Sequence, residues 1–240
     1  MSGKVASGRG RGSLGDYGPG GHATLSEEVY ARLRLAIVSG HFTAGERMTI
    51  RGLAAELETS PTPIRDALFR LAAERAVEFA PNRYIRIPEL KAAELLELRD
   101  MRTALEGLAT ERAVARLDQA TAEALVAHDE AVRHLRDSAD VKPVVEAIQR
   151  FHFTLYRASG MPALVQTIEG LWLRTAPYVN QLFPDYSQME RGTLRGMALK
   201  AILRRDAVSA RRLMEVDIAS ALTFIVELAE AREAEEKAKP

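Results

Sequence analysis

Hydrogen-bonding side chains cluster between Thr49 and Leu71, where the sequence predicts two short helices joined by a tight turn. Thr49 and Ser60 are the expected N-caps, and Pro61 stands at the first position of the second helix, where its missing N–H costs nothing. Because Pro63 lacks an N–H as well, we expect the Ser60 hydroxyl to cap through the Thr62 amide. A second helix that displays Ser, Thr and Arg in its first turn suits the DNA major groove, although an ordinary helical hairpin has the same spacing.

The flanking residues complete a small domain around this helix pair. Thr24 and Glu27 form a capping box for an earlier helix that ends at Ser39-Gly40. After the pair, residues 76–79 and 84–87 alternate like strands around a turn. Three helices with such a hairpin predict a winged helix-turn-helix, whose Arg83 and Arg86 can reach the DNA backbone or minor groove.

Pro88 marks a boundary, after which no strand pattern is found. The rest of the chain predicts an antiparallel bundle of amphipathic helices. These helices cover residues 91–117, 121–137, 141–158, 162–182, 187–204 and 207–234, with caps at Thr121, Asp140 and Asp206. The predicted fold is therefore mainly α, with a winged domain at the N-terminus and an all-helical domain at the C-terminus. The boundaries are a disordered Gly/Arg-rich tail (1–23), the winged domain (24–88), the bundle (89–234) and a flexible C-terminus (235–240).

Composition gives weaker constraints. The 240 residues contain 33 Lys plus Arg and 33 Asp plus Glu, so net charge argues neither for nor against nucleic acid. A DNA site here must rely on a few placed arginines and on duplication by a dimer.

The absence of cysteine excludes disulfides and thiolate metal sites. No apolar run approaches the roughly 20 residues of a membrane helix, so we expect a cytoplasmic protein without membrane contact.

Four polar residues interrupt the apolar stripes of the bundle helices: Arg102, His152, Arg195 and Asp217. Burial of such groups without partners costs several kcal/mol, so they must be satisfied by one another or by a ligand. One interpretation is a structural network, such as an Arg195–Asp217 ion pair with His152 nearby. The other is a ligand pocket in which two arginines hold an anionic group by forked hydrogen bonds.

The order of these parts resembles the GntR family of bacterial transcription factors, in its FadR-type subgroup with an FCD effector domain. The resemblance covers about residues 25–230 and rests on five stretches. These are VYARLRLAIVSGHFTAGERM from Val29, LAAELETSPTPIRDALFRL from Leu53, PNR from Pro81, ELRDMRTALEGLA from Glu97 and FHFTLYRASG from Phe151.

The resemblance implies a homodimer that binds a near-palindromic operator, usually as a repressor, and responds to a small carboxylate-type metabolite in the bundle. Matching positions assign DNA contacts to Arg51, Ser60, Thr62, Arg65, Asn82 and Arg83. The four polar residues on the apolar stripes, Arg102, His152, Arg195 and Asp217, are the expected effector-binding residues. Two departures stand out, because Pro61 replaces a base-reading Arg of the family and Tyr84 replaces the wing glycine.

Many FCD domains hold a divalent metal with one Asp or Asn and three His. The corresponding positions here are Ile148, His152, Arg195 and Asp217, so a single His remains. Arg195 would repel a cation, and we predict neither a cofactor nor a tightly bound metal. The guanidinium then either attracts an anionic effector in place of the metal or seals the pocket with Asp217.

Two alternative functions are compatible with parts of the sequence. His128 and Asp129, with His152 and Asp217, superficially resemble the metal set of HD-type phosphohydrolases, but beside Glu130 the first two are more simply interpreted as a solvated helix face. A DNA-binding dimer without an effector is the second alternative, in which the bundle serves only for dimerisation.

Overall fold

The computed structural model describes residues 24–80, 84–135, 141–179 and 191–238. The winged domain contains α1 (Leu25–Val38), β1 (Arg47–Met48), α2 (Ile50–Glu56), α3 (Pro61–Ala73), β2 (Glu78–Phe79) and β3 (Ile85–Arg86). The helical domain contains α4 (Ala92–Ala115), α5 (Gln119–His134), α6 (Val141–Ala158), α7 (Pro162–Val179), α8 (Arg191–Leu203) and α9 (Ala207–Ala238). The predicted mainly-α architecture with two domains is confirmed.

Local signals explain the helices of the winged domain. The capping box of α1 is present, with the Glu27 amide donating to Thr24 at 3.2 Å and the Thr24 amide donating to Glu27 at 2.7 Å. The Thr49 hydroxyl accepts from the Gly52 amide at 3.0 Å and starts α2. Apolar side chains of α1 and α3 then meet in a core that holds Leu33, Ile37, Ile64, Leu68 and Leu71.

The wing is a three-stranded antiparallel sheet in the order β1-β3-β2. Arg86 of β3 lies opposite both Arg47 of β1 and Glu78 of β2. The hairpin of β2 and β3 was predicted, whereas β1, which lies between α1 and α2, was not. The turn residues 81–83 lie outside the described residues.

The helical domain is built around α4 and α9, which pack against each other along much of their length. Its core includes Leu95, Leu98, Phe151, Ile168 and Met214. The winged domain contacts this bundle mainly through α1, which packs against α7. The two domains therefore meet at a helix of the bundle as well as at the linker near Pro88.

Several predicted helix ends need correction. The cap of α5 is Asp118, which accepts from the Thr121 amide at 2.7 Å, so Thr121 is not the cap. Asp206 does cap α9, accepting from the Ser209 amide at 3.0 Å. That helix continues to Ala238, beyond the end predicted at 234, so residues 235–238 are helical rather than a flexible terminus. Asp140 and the tail 1–23 lie outside the described residues.

Candidate DNA-binding surface and effector site

The outer face of α3 carries the side chains predicted to contact DNA. Ile64, Leu68 and Leu71 are buried beneath the helix, which leaves Thr62 and Arg65 exposed on the opposite side. Ser60, at the N-terminus of α3, is exposed too, and so is Arg51 on α2. The helix pair therefore exposes polar side chains of the type that enter a major groove. The predicted wing contacts Asn82 and Arg83 lie outside the described residues.

Ser60 does not cap α3 in the predicted way. Its backbone is extended at the N-cap position, but its side chain makes no capping hydrogen bond. Two of the first three helix positions are prolines and offer no N–H, so little is available for a hydroxyl to accept from. The Ser60 hydroxyl is consequently not engaged by the start of its own helix.

Arg86 has a structural rather than a DNA-contacting environment. Its Nε donates to Glu78 on the neighbouring strand at 2.6 Å, and its Nη1 lies 3.6 Å from Glu89. Two carboxylates thus neutralise this arginine at the base of the wing. The expectation that Arg86 reaches the DNA backbone is not supported by these contacts.

A buried polar cluster occupies the interior of the helical domain, and Glu106 of α4 is its centre. Glu106 accepts from Arg102 Nε at 2.6 Å, from Trp172 Nε1 at 3.0 Å and from the Tyr156 hydroxyl at 2.5 Å. Arg102 also donates to Thr175 at 2.8 Å and lies over the Trp172 ring at 4.2 Å. Arg102 is 5% exposed and Glu106 is fully buried, so both charges need these partners.

His152 joins this cluster as a neutral ring. Its Nδ1 lies 2.7 Å from the Tyr156 oxygen. The single hydroxyl hydrogen of Tyr156 is donated to Glu106, so Nδ1 must be the donor to Tyr156 and Nε2 is left as an acceptor. Burial, together with the charges of Arg102 and Arg195, lowers the pKa of His152 to about 3. Burial and the nearby Glu106 charge raise the pKa of Tyr156 well above its usual value, so neither ring carries a charge at neutral pH.

Arg195 has a different partner from the predicted one. Its Nε donates to Asp129 of α5 at 2.9 Å, and both side chains are almost fully buried. The exposed Arg133 also approaches Asp129, at 3.1 Å. The interpretation of Asp129 as part of a solvated face is therefore wrong, and the Arg195–Asp217 pair is replaced by Arg195–Asp129. Asp217 is partly buried, and its negative charge helps to raise the pKa of Tyr156.

The structure brings the predicted effector residues into one region of the core. The positive charges of Arg102 and Arg195 both lower the pKa of His152. The negative charge of Asp217 raises the pKa of Tyr156, which lies one turn further along α6. Ile148, one of the four positions matched to the family's metal ligands, is an apolar residue packed against the core. Within the four described ranges, no group of three or more His, Asp or Glu side chains could hold a metal ion.

Sequence reasoning missed Glu106, Asp129, Tyr156, Trp172 and Thr175. A signal for Glu106 existed, because it follows Arg102 by four residues and such pairs meet on one helix face. Asp129 carried no comparable signal, since its partner is on a helix distant in sequence.

Both domains of the chain match described protein families. Residues 25–87 match the bacterial regulatory proteins of the gntR family, and residues 97–220 match the FCD domain. The chain belongs to the GntR family. The chain is 30% identical to the HTH-type transcriptional regulator McbR of Escherichia coli (strain K12) over 169 residues, which are 70% of this chain and 76% of McbR. It is 27% identical over 220 residues to the HTH-type transcriptional repressor GlaR of the same organism, covering 83% of this chain and 95% of GlaR.

The solved structure of E. coli McbR/YncC shares the fold, with a TM-score of 0.80 at 24% identity, and the match covers 86% of this chain and 99% of that one.

Membership of the GntR family identifies this protein as a DNA-binding transcriptional regulator and not an enzyme. The phosphohydrolase alternative also loses its proposed metal ligand, because Asp129 is ion-paired with Arg195. None of the described helices is long and apolar enough to cross a membrane.

Proposed function

We propose that this GntR regulator is a homodimeric repressor whose operator affinity is controlled by a small organic acid bound in the helical domain. The observation that carries the proposal is the buried cluster: Arg102 lies over the Trp172 ring at 4.2 Å and the His152 ring is 5.3 Å from that ring, while the buried Arg195 lies 6.0 Å from the ring of Phe151, the residue before His152. Burial of so many polar groups in a domain that only dimerises would be costly compared with apolar packing.

The two arginines are of the residue type that binds a carboxylate, because a guanidinium carries five N–H groups in a planar fork. Among the described residues, Arg102 donates through Nε and Nη1 and Arg195 through Nε. Two carboxylates, Glu106 and Asp129, accept these hydrogen bonds and orient the guanidinium planes. A ligand carboxylate would accept forked hydrogen bonds from these guanidiniums, and the Nε2 acceptor of His152 would favour a ligand that carries a hydroxyl.

Helix α7 supports a route from this cluster to the DNA-binding domain. Its Trp172 and Thr175 contact Glu106 and Arg102 in the cluster. One turn before Trp172, Glu169 lies 3.5 Å from Arg34 of α1, and that arginine is also 3.7 Å from Glu74, next to α3. Near the end of α7, the Tyr178 hydroxyl donates to the Pro88 carbonyl at 3.0 Å and accepts from the Leu90 amide at 2.5 Å.

Ligand binding that shifts α7 would therefore act on both connections between the domains. Two recognition helices must enter successive major grooves about 34 Å apart, so a small change in their spacing lowers operator affinity. Through this population shift, ligand binding causes the protein to release its operator.

A screen of small carboxylates by thermal shift tests the ligand. A ligand at about 100 times its Kd should stabilise the protein by about 2.7 kcal/mol and raise the melting temperature by several degrees. Arg195→Lys keeps the charge beside Asp129 but loses the fork, so it should remove the response with little loss of stability. If no carboxylate stabilises the protein, the effector-independent alternative is favoured.

Sedimentation of the free protein tests the homodimer, and a monomer at micromolar concentration would contradict it.

A further inference from the structure

Two phenylalanine rings lie exposed between the recognition helix α3 and the wing. Phe69 of α3 is 57% exposed and Phe79 of β2 is 45% exposed. Their ring centroids are 5.0 Å apart with the planes tilted by 37°. Two large apolar side chains in mutual contact on a surface indicate an interaction site more strongly than scattered ones do.

The position of Phe69 on α3 points to a specific partner. Phe69 follows Thr62 by seven residues and Arg65 by four, so the three side chains form one line along the helix. The neighbouring flank is occupied by α1, since Asp66 accepts from Ser26 at 3.2 Å and Arg70 lies over the Tyr30 ring at 3.8 Å. Phe69 therefore lies on the same exposed face of α3 as Thr62 and Arg65, the residues predicted to contact DNA.

Contact with Phe79 restricts where the Phe69 ring can point. The Phe79 ring comes from the wing strand and packs against one side of it, so the pair bridges the crevice between α3 and the wing. The ring is thus held in place and loses little freedom on binding. The apolar group that a major groove offers to such a side chain is the C5 methyl of thymine.

We propose that Phe69, positioned by Phe79, is a specificity-determining residue that contacts a thymine methyl group in each half of the operator. This inference rests on the DNA-binding function of the family and extends it to an apolar contact. The contact supplies base discrimination on the face of α3 that also exposes Thr62 and Arg65.

Replacement of thymine by deoxyuridine tests the proposal, because it removes the methyl group and leaves base pairing intact. An operator is first selected from random duplexes with the full-length protein. Each thymine is then replaced symmetrically in both half-sites, and affinity is measured by gel shift. One position should show a loss of about fourfold per half-site, the factor expected for one buried methyl group.

The Phe69→Ala variant completes a double-mutant cycle. It should bind the thymine operator at least about fivefold more weakly and should no longer distinguish thymine from deoxyuridine at that position. Phe69→Leu should recover part of the affinity. Val208→Ala, which truncates a 79% exposed side chain on α9, is the control and should behave as the unmodified protein.

Three results would overturn the inference: no thymine position responds in the unmodified protein, Phe69→Ala keeps the same response, or Phe69→Ala alters only the oligomeric state. The last result would assign the rings to an interface between copies of the chain. Failure to select any duplex would instead contradict the DNA-binding function itself.

Discussion

Among single residues, His152 gives the protein a pH dependence of stability that can be traced to one side chain. Its pKa is about 3 in the folded protein, against the ordinary value of 6.5. Between these two values the unfolded chain binds a proton that the folded protein does not, so stability is full above about pH 6.5 and falls as the pH is lowered towards 3.

We expect the free energy of unfolding to fall by about 2 kcal/mol through this residue when the pH is lowered from 7 to 5. The His152→Gln variant, which can still donate to Tyr156, should lack that loss in urea unfolding at the two pH values. His134→Gln changes an exposed histidine of α5 and should keep the pH dependence of the unmodified protein. Equal losses in His152→Gln and the unmodified protein would contradict the neutral buried ring.

The Arg195–Asp129 pair allows a second prediction at this scale. Asp129→Asn leaves a buried guanidinium without its carboxylate, and we expect a loss of about 3–5 kcal/mol in the free energy of unfolding. Glu130→Gln, the exposed neighbour, should cost less than about 1 kcal/mol. The double variant with Arg195→Met should recover part of the loss, because the unpaired charge is removed. A loss below about 1 kcal/mol for Asp129→Asn would exclude the buried pair.

At the scale of elements, Tyr178 connects α7 to the interdomain linker. Its hydroxyl serves two backbone groups, the Leu90 amide and the Pro88 carbonyl. Tyr178→Phe leaves both without that partner, and we expect a loss of about 1–3 kcal/mol in urea unfolding. Tyr84→Phe removes the hydroxyl of an exposed tyrosine and should be nearly neutral. Equal stabilities of the two variants would show that the linker is not held in this way.

Arg34 tests whether α7 transmits the ligand signal. It lies between Glu169 of the helical domain and Glu74 of the winged domain, and all three side chains are partly exposed. Arg34→Gln should therefore change stability by less than about 1 kcal/mol. It should nevertheless alter the effect of the ligand on operator affinity, by about 0.5–2 kcal/mol in coupling free energy.

The control for Arg34 is Arg32→Gln, an exposed arginine of the same helix. It carries the same change in net charge, so a non-specific electrostatic effect on DNA binding would appear in both variants. Gel shifts with and without ligand distinguish this non-specific effect on DNA binding from a change in the ligand response. An unchanged ligand response in Arg34→Gln would remove this contact from the mechanism.

At the scale of the whole molecule, the order of the domains could be predicted from sequence because each domain leaves a local pattern. Caps, apolar stripes and one alternating hairpin were enough for the helices and for β2 and β3. Strand β1 is two residues long and is defined by its pairing with Ile85 and Arg86 of β3, so no periodicity could reveal it. Likewise, buried arginines could be found on apolar stripes, but Asp129 became the partner of Arg195 through packing of α5 against α8, which no local pattern encodes.

Control of operator binding by a ligand in the helical domain is tested most directly by a gel shift with the selected operator. The operator is bound in the absence and presence of a carboxylate that stabilises the protein, with saturation verified by thermal shift. We predict that saturating ligand weakens operator binding at least about tenfold, which corresponds to a coupling free energy of about 1.4 kcal/mol. Operator affinity that stays the same at saturation would contradict the account.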